Sequence, residues 1–409
     1  MKALVLAGGL PQVKLLNGLK KRGIKTILAD YYASPVAKPY ADKFYQISTL
    51  DVPAITKLAK EENVDFLITV CTDQALLTVA KVSEELSLPC YIDYQTGLNV
   101  TNKQYMKQVF FENNISTAKY VVMERFDEDK IKDFTYPLIV KPVDCNSSKG
   151  VIKVENLQEL KSAFDSAVQL SRTNTAIVET FIQGKELSVD IYVENGKAII
   201  LNISELEKLP EKDKFVIFRS STFNNVTDKI QKKVQQTAQQ IADVFNLKNS
   251  PMLIQMMSDE ENVYVLEFSA RTGGGAKYNV IEKVSGFDVI DAVIELTLGN
   301  KPHVDLRKRN FKYVSTEFIY CKPGVFKEIR GIEKLKNDNV ISDFYIFKWS
   351  GAEFDFIQNS GDRVGGFTII GNTVEEMDKK HELSVKTLQV IDENGNDIMR
   401  KDLLPKLKW

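Results

Sequence analysis

Two positions in the third quarter of the chain, Gln255 and Glu267, combine residue type and spacing in a way that suggests chemistry. They lie in Met252–Met257 and Asn262–Arg271, apolar stretches joined by Ser258-Asp259-Glu260-Glu261, which reads as a β-hairpin. Alternation groups Val263, Val265, Glu267 and Ser269 on one face and Tyr264, Leu266 and Phe268 on the other. With Ser258 opposite Asn262, Gln255 falls on the Glu267 face as a diagonal neighbour, roughly 7–8 Å away. A carboxylate and an amide oxygen so placed can share Mg²⁺, a hard cation that keeps phosphate oxygens in its shell. A glutamate buried in such a strand without a partner is costly, so the position asks for one. Directly afterwards, Arg271-Thr272-Gly273-Gly274-Gly275 offers a planar donor fork for a carboxylate or phosphoryl group, and glycines that let a ligand approach the backbone.

Two earlier stretches fit the same chemistry. Pro137-Leu138-Ile139-Val140-Lys141-Pro142 is an apolar strand ending in lysine, followed by the small, polar loop Asp144-Cys145-Asn146-Ser147-Ser148-Lys149-Gly150. Small side chains let amides reach phosphate oxygens, and Lys141 and Lys149 offset the charge. The Walker spacing is absent, so taken alone these residues also describe a solvated turn. In Val178-Glu179-Thr180-Phe181-Ile182-Gln183-Gly184-Lys185-Glu186, two carboxylates bracket an apolar step. Phe181 and Ile182 could stack on an adenine, with Glu179 at its exocyclic amine and Glu186 at the ribose hydroxyls. Exposed glutamates flanking a turn are the plain alternative.

Such side chains need a scaffold, and the N-terminal third alternates strands and helices. Strands over Lys2–Leu6, Ile24–Ala29, Phe44–Ile47 and Asp65–Val70 are separated by helices near Gln12–Lys21 and Val52–Glu61, with another over Gln74–Glu85. That order predicts an open parallel sheet covered on both faces. Ala7-Gly8-Gly9-Leu10-Pro11-Gln12 lacks the Gly-x-Gly-x-x-Gly pattern, so it reads as a structural turn rather than a dinucleotide site. From Lys103–Asn113, a helix, the texture becomes α+β. Short strands (Leu138–Lys141, Val151–Val154, Ile177–Glu179, Leu187–Val193, Lys197–Ile203) alternate with helices Leu157–Leu170 and Asp228–Phe245, and Asn195-Gly196 marks a hairpin. Strands Val314–Cys321, Phe344–Lys348 and Phe367–Gly371 follow, and a closing helix spans Val374–Ile391.

Composition bounds the function. The 409 residues carry 54 Lys+Arg against 55 Asp+Glu, a net charge of −1, which gives no whole-chain attraction for nucleic acid or an anionic membrane. Arg307-Lys308-Arg309 and the Lys406–Lys408 tail read as solvated charge. No apolar run approaches the roughly 20 residues of a membrane span, and the first residues read as a strand rather than a signal peptide. Four scattered cysteines indicate neither disulfides nor zinc, and two histidines 78 positions apart (His303, His381) argue against histidine catalysis. A reducing cytoplasm is the expected location.

Together these motifs resemble the ATP-grasp superfamily over most of the chain. The resemblance implies α/β and α+β folding in a three-subdomain architecture with an N-terminal parallel α/β (pre-ATP-grasp) domain. Its expected boundaries are an N-terminal domain over 1–101, a small central subdomain over 102–184 and a C-terminal subdomain with a strand-rich tail over 185–409. Ile139-Val140-Lys141-Pro142 resembles the family's strand lysine, Ser147, Ser148, Lys149 and Gly150 its phosphate loop, and Lys103 its earlier phosphate-facing lysine. Glu179, Phe181, Ile182 and Glu186 resemble the adenine hinge and ribose carboxylate. Gln255 with Glu267-Phe268-Ser269-Ala270-Arg271 resembles the metal-and-arginine signature, with Ser269 where asparagine is usual. Within the superfamily the chain is most similar to the carbamoyl-phosphate-synthase-like group that includes L-amino acid ligases. Ser360-Gly361-Asp362-Arg363-Val364-Gly365-Gly366 resembles the stretch whose arginine holds the acyl substrate, making Arg363 a candidate and Arg219 a lesser one.

The resemblance implies a ligase that joins a carboxylate to an amine through an acyl phosphate. It would use ATP and Mg²⁺ (with Mn²⁺ as substitute), Gln255, Glu267 and Ser269 as metal ligands, and Arg271 and Arg363 as catalytic residues. The expected partners are small-molecule carboxylates and amines, amino acids foremost, and a second copy in a homodimer. A carboxylase or carbamoyl-phosphate-synthase-like enzyme and a non-catalytic nucleotide sensor of the same fold are the alternatives.

Overall fold

The computed structural model describes residues 1–145, 149–209, 215–222 and 226–409. Strands Lys2–Leu6, Lys25–Asp30, Lys43–Gln46 and Phe66–Ile68 form a parallel sheet in the order third, second, first, fourth. Both faces are covered, as their unbroken apolar runs require. Leu4, Leu6 and Ile27 pack against Ile55, Leu58 and Val79 of the helices Val52–Glu62 and Asp73–Leu86. Asp51 caps the first of these by accepting from the Ala54 amide, with Pro53 in the opening turn. The opposite face meets Leu15, Leu16 and Leu19 of Leu10–Lys21 and, from far along the chain, Ile290, Val293 and Ile294 of Val289–Thr297.

After the helix Lys103–Glu112 comes a small antiparallel sheet ordered Tyr120–Met123, Ala176–Thr180, Leu138–Pro142, Ile152–Val154. Leu160, Ala163, Phe164 and Ala167 of the helix Leu157–Leu170 fill its core. An eight-stranded antiparallel sheet follows, in the order Val263–Ser269, Ser250–Ser258, Lys185–Glu194, Lys197–Lys208, Ile217–Thr222, Tyr313–Ile319, Gly365–Gly371, Asp343–Ile346, beside a three-stranded one ordered Glu353–Phe354, Gly324–Arg330, Gln389–Asp392. The long helix Asp228–Val244 buries Ile230, Val234, Ala238 and Ile241 on one face of it. Asn195 (φ 49°) and Gly196 (φ 84°) make the expected left-handed hairpin turn.

The expectation fails at the C-terminus. The helix begins at Val374 but ends at Thr387, and Gln389–Asp392 is a strand paired with Gly324–Arg330. Leu388 and Val390 join a core apolar cluster instead of a helix face, and Ile391 is buried. Helices Lys277–Ser285 and Val289–Thr297 were also not anticipated. Among the described residues, no helix is long and apolar enough to cross a membrane.

Candidate active site

A cleft of about 740 Å³ is walled by the small sheet and the large one. Lys103, Lys141, Lys149, Glu179, Phe181, Ile182, Glu186, Gln255, Glu267, Arg271 and Arg363 all line it, although they come from widely separated parts of the chain. Ser147 and Ser148 lie outside the described residues. Gly150 sits in the turn (φ 74°) behind the strand lysine, where a Cβ would meet Pro142 and Leu170, so it shapes the loop rather than the cleft wall.

The hairpin departs from the expected register. Ser258 pairs with Val263, not Asn262, and Met256 with Val265; the ladder then slips so that Gln255 stands directly opposite Glu267. Leu266 is the extra residue of a β-bulge. A bulge resets alternation, so Leu266 and Glu267 both line the cleft while Val265 and Phe268 are buried in the core. Glu267 is therefore not on the Val263–Val265 face, and its side chain is 35% exposed. Its Oε2 lies 3.3 Å from Lys103 Nζ, and Lys103 also donates to the Cys145 carbonyl at the mouth of the phosphate-loop segment.

A carboxylate facing an amide across one ladder rung is a hard-oxygen donor set suited to Mg²⁺ that draws its remaining ligands from phosphate and water. Among the described residues, no cluster of three or more His, Cys, Asp or Glu could hold a metal on its own. The donors thus fit a metal that arrives with a nucleotide. Ser269 does not join them. Its hydroxyl donates to Asp73, and it lines a neighbouring hollow of about 680 Å³. That bond holds the hydroxyl beside Asp73, in a hollow that Gln255 and Glu267 also line.

At the other end, the strand Ala176–Thr180 runs into the turn Phe181–Gly184 and the strand Lys185–Glu194. Glu179 is 2% exposed and does not present a free acceptor to an adenine amine. Its oxygens face Lys107 at 2.9 Å and Lys141 at 2.8 Å. Burial pushes its carboxyl up, but the two ammonium groups outweigh that and hold it at about 2. Burial pulls the Lys107 ammonium down against the attraction of Glu179. Lys141 remains in the cleft wall, oriented by this buried carboxylate. Lys153 lies 4.7 Å from the Phe181 ring. Glu186 receives Lys208 and, at 3.5 Å, the Gln255 amide, which ties the strand Lys185–Glu194 to Ser250–Ser258.

Gly184 sits at φ 153°, and a Cβ there would come within 2.1 Å of the Ser258 carbonyl oxygen. Gly184→Ala is expected to destabilise the protein by at least ~1 kcal/mol and to weaken nucleotide binding, because hinge and hairpin must separate. Thermal melts with and without ATP check this.

Arg271 is not free to sweep the cleft. Nε donates to Asp73 Oδ1 at 2.7 Å, Nη2 donates to Oδ2, and Nη1 donates to the Thr272 carbonyl at 2.9 Å. Arg363 stacks its guanidinium 3.7 Å over Phe318, donates to Tyr320 Oη at 3.1 Å and to the Ile217 carbonyl at 3.0 Å, and brings Nη1 beside Gly275. Among the described residues its hydrogen-bond partners are neutral, so its charge is available to an anion at the glycine-rich turn. Arg219 is fully buried, paired with Glu317 at 2.7 Å and Glu207 at 3.0 Å, which removes it as a substrate ligand.

Several residues in or behind the cleft wall escaped the sequence reading. Lys107 carried a local signal, since it follows Lys103 by one helical turn on the same face. Lys277, buried beside Asp190 at 3.6 Å, and Asp73 carried none, because their partners are far away in sequence.

Residues 134–279 match the model of the ATP-grasp domain. The carbamoyl phosphate synthase large chain of Clostridium perfringens is 23% identical over 336 residues, covering 80% of this chain and 30% of that protein. The chain thus spans about 30% of the length of such relatives. Phosphoribosylamine–glycine ligase of Caldanaerobacter subterraneus is 25% identical, over 74% of this chain and 75% of that protein. The crystal structure of L-amino acid ligase from Bacillus licheniformis superposes with a TM-score of 0.79 at 18% identity, covering 96% of this chain and 99% of that one.

Proposed function

We propose that this chain, built on the ATP-grasp fold, is an ATP-dependent ligase that joins a carboxylate to an amine with release of ADP and phosphate. The observation that carries this reading is one cleft with an apolar hinge at one end, the Gln255–Glu267 rung between, and Arg271 and Arg363 at the other. A carboxylate is a poor electrophile. Phosphorylation by ATP turns it into an acyl phosphate, which an amine attacks, expelling phosphate.

Phe181, Ile182 and Leu266 would bound the adenine, with Glu186 at the ribose. Lys103, Lys141 and Lys149 would neutralise the phosphates. Gln255 and Glu267 would hold Mg²⁺, which when bound draws charge from the transferring phosphoryl group. Arg271 would meet the charge that develops there, and Arg363 the substrate's anionic group. Nothing in this scheme needs a side-chain nucleophile.

Amino acids are the first substrates to test, a choice supported by the shared fold of the B. licheniformis ligase and by Arg363, whose hydrogen-bond partners among the described residues are neutral. The deciding experiment is ATP consumption across amino acids and small carboxylates with hydroxylamine present. A hydroxamate identifies the activated acid; ATP binding without ADP release across the panel would overturn the reading. Arg363→Lys is expected to raise KM for the acid ~10- to 100-fold while KM for ATP stays within twofold, since lysine reproduces neither fork nor stacking. Steady-state kinetics with each substrate varied in turn check it.

A further inference from the structure

Arg271 sits where the phosphoryl group must transfer under the proposed function, yet the large sheet alone does not fix its direction. A guanidinium two residues past the end of a strand has four rotatable bonds, and a misplaced charge contributes little to a transition state. What fixes it comes from the N-terminal α/β unit, 198 positions away in sequence. Asp73 opens the helix Asp73–Leu86, just past the strand Phe66–Ile68 and the left-handed residue Cys71 (φ 62°). Its carboxylate takes one whole edge of the Arg271 fork, Nε to Oδ1 and Nη2 to Oδ2, and also accepts from the Ser269 hydroxyl.

The remaining geometry is informative. Arginine has five N–H donors in one plane. With that edge on Asp73 and one Nη1 donor on the Thr272 carbonyl, one donor on each terminal nitrogen is left among the described residues. The two side chains are each only 15% exposed, so the pair is shielded enough to hold its arrangement. Burial pushes the Asp73 carboxyl up, and Arg271, helped by the Ser269 hydroxyl and the Lys103 ammonium, more than reverses this, so the partner stays ionised. The positive end of its own helix adds to the same effect.

We propose that Asp73 is a positioning residue for the phosphoryl-transfer step: it locks the Arg271 guanidinium so that its two free donors face the cleft. This rests on the proposed function, because Arg271 acts only if a phosphoryl group passes it. It also makes the N-terminal α/β unit part of the catalytic apparatus rather than a support for it.

The test is a double-mutant cycle in the full chain, with Asp73→Asn, Arg271→Ala and the double variant. Asp73→Asn is expected to lower kcat for ATP turnover roughly 10- to 100-fold, the range for groups that orient a catalytic ligand. Its KM for ATP should stay within twofold, since the hinge is untouched. In the Arg271→Ala background, Asp73→Asn should have no further effect. Wild-type kcat in folded Asp73→Asn, or losses that multiply in the double variant, would overturn the proposal. If Asp73→Asn does not fold, Asp73→Glu keeps the charge on a longer arm: a reduced kcat with unchanged ATP affinity supports the role, and an unchanged kcat overturns it. A wild-type enzyme that turns over no ATP with any acid would instead remove the ligase reading, and the inference with it.

Discussion

Glu267→Ala is expected to abolish ATP turnover, a fall of at least ~10³-fold, without unfolding the protein. The magnitude follows from the charge that a metal offsets on a transferring phosphoryl group, several kcal/mol, with each 1.36 kcal/mol a factor of about ten. Gln255 alone offers a neutral oxygen and does not hold Mg²⁺ against water. The fold should survive, because the carboxylate is 35% exposed and its ion pair with Lys103 is long at 3.3 Å. Lys103 keeps its bond to the Cys145 carbonyl. Activity with matched circular dichroism and melting curves checks the prediction; near-normal turnover in a folded variant would remove Glu267 from the metal site.

The second large effect is on stability. Lys107→Met should destabilise the protein by roughly 3–5 kcal/mol, the cost of breaking a buried ion pair from one side. Glu179 and Lys107 are nearly without solvent contact, and Lys141 alone would be left to balance the carboxylate. Adding Glu179→Gln to Lys107→Met should recover much of the loss, because the fully buried carboxylate is then neutral and the charge that loses its partner, Lys141, lies in the cleft wall. The pH dependence has a definite sign. The folded carboxyl is held at about 2, below its ordinary value of 4.5. Its contribution is therefore complete above that ordinary value and is lost as pH falls from there toward 2. In Lys107→Met the folded carboxyl rises and this contribution shrinks. Melting temperatures from pH 7 to pH 3 for the wild type and both variants test the chain of argument.

How far these features could be read from the sequence depends on the range of the interaction. The N-terminal parallel sheet and the helix Leu157–Leu170 were legible because apolar periodicity is local and strong there. The hinge, the strand lysine and the Gln255–Glu267 hairpin were legible as motifs, but their geometry was not. Alternation alone put Glu267 with Val263 and Val265, since a one-residue slip leaves no mark on the pattern. Arg219 looked like a substrate ligand because an isolated arginine gives no hint of Glu317, 98 positions away, or Glu207 across the sheet. The bonds of Ser269 and Arg271 to Asp73 were hidden for the same reason, as Asp73 opens a helix of the N-terminal α/β unit. The segment Gln389–Asp392 continued an apolar run that suits helix or strand equally, and only its pairing with Gly324–Arg330 decided between them.

The extra residue at position 266 works as a spacer with a use in engineering. Under the proposed function it would let neighbouring positions in one strand address two different parts of a nucleotide, an oily surface for the base and an anion for the counter-ion of the phosphates. Excising it would heal the ladder, keep the acid in place and trim only the greasy floor. Base preference could then be retuned separately from ion requirement, a division of labour that an unbroken strand would forbid.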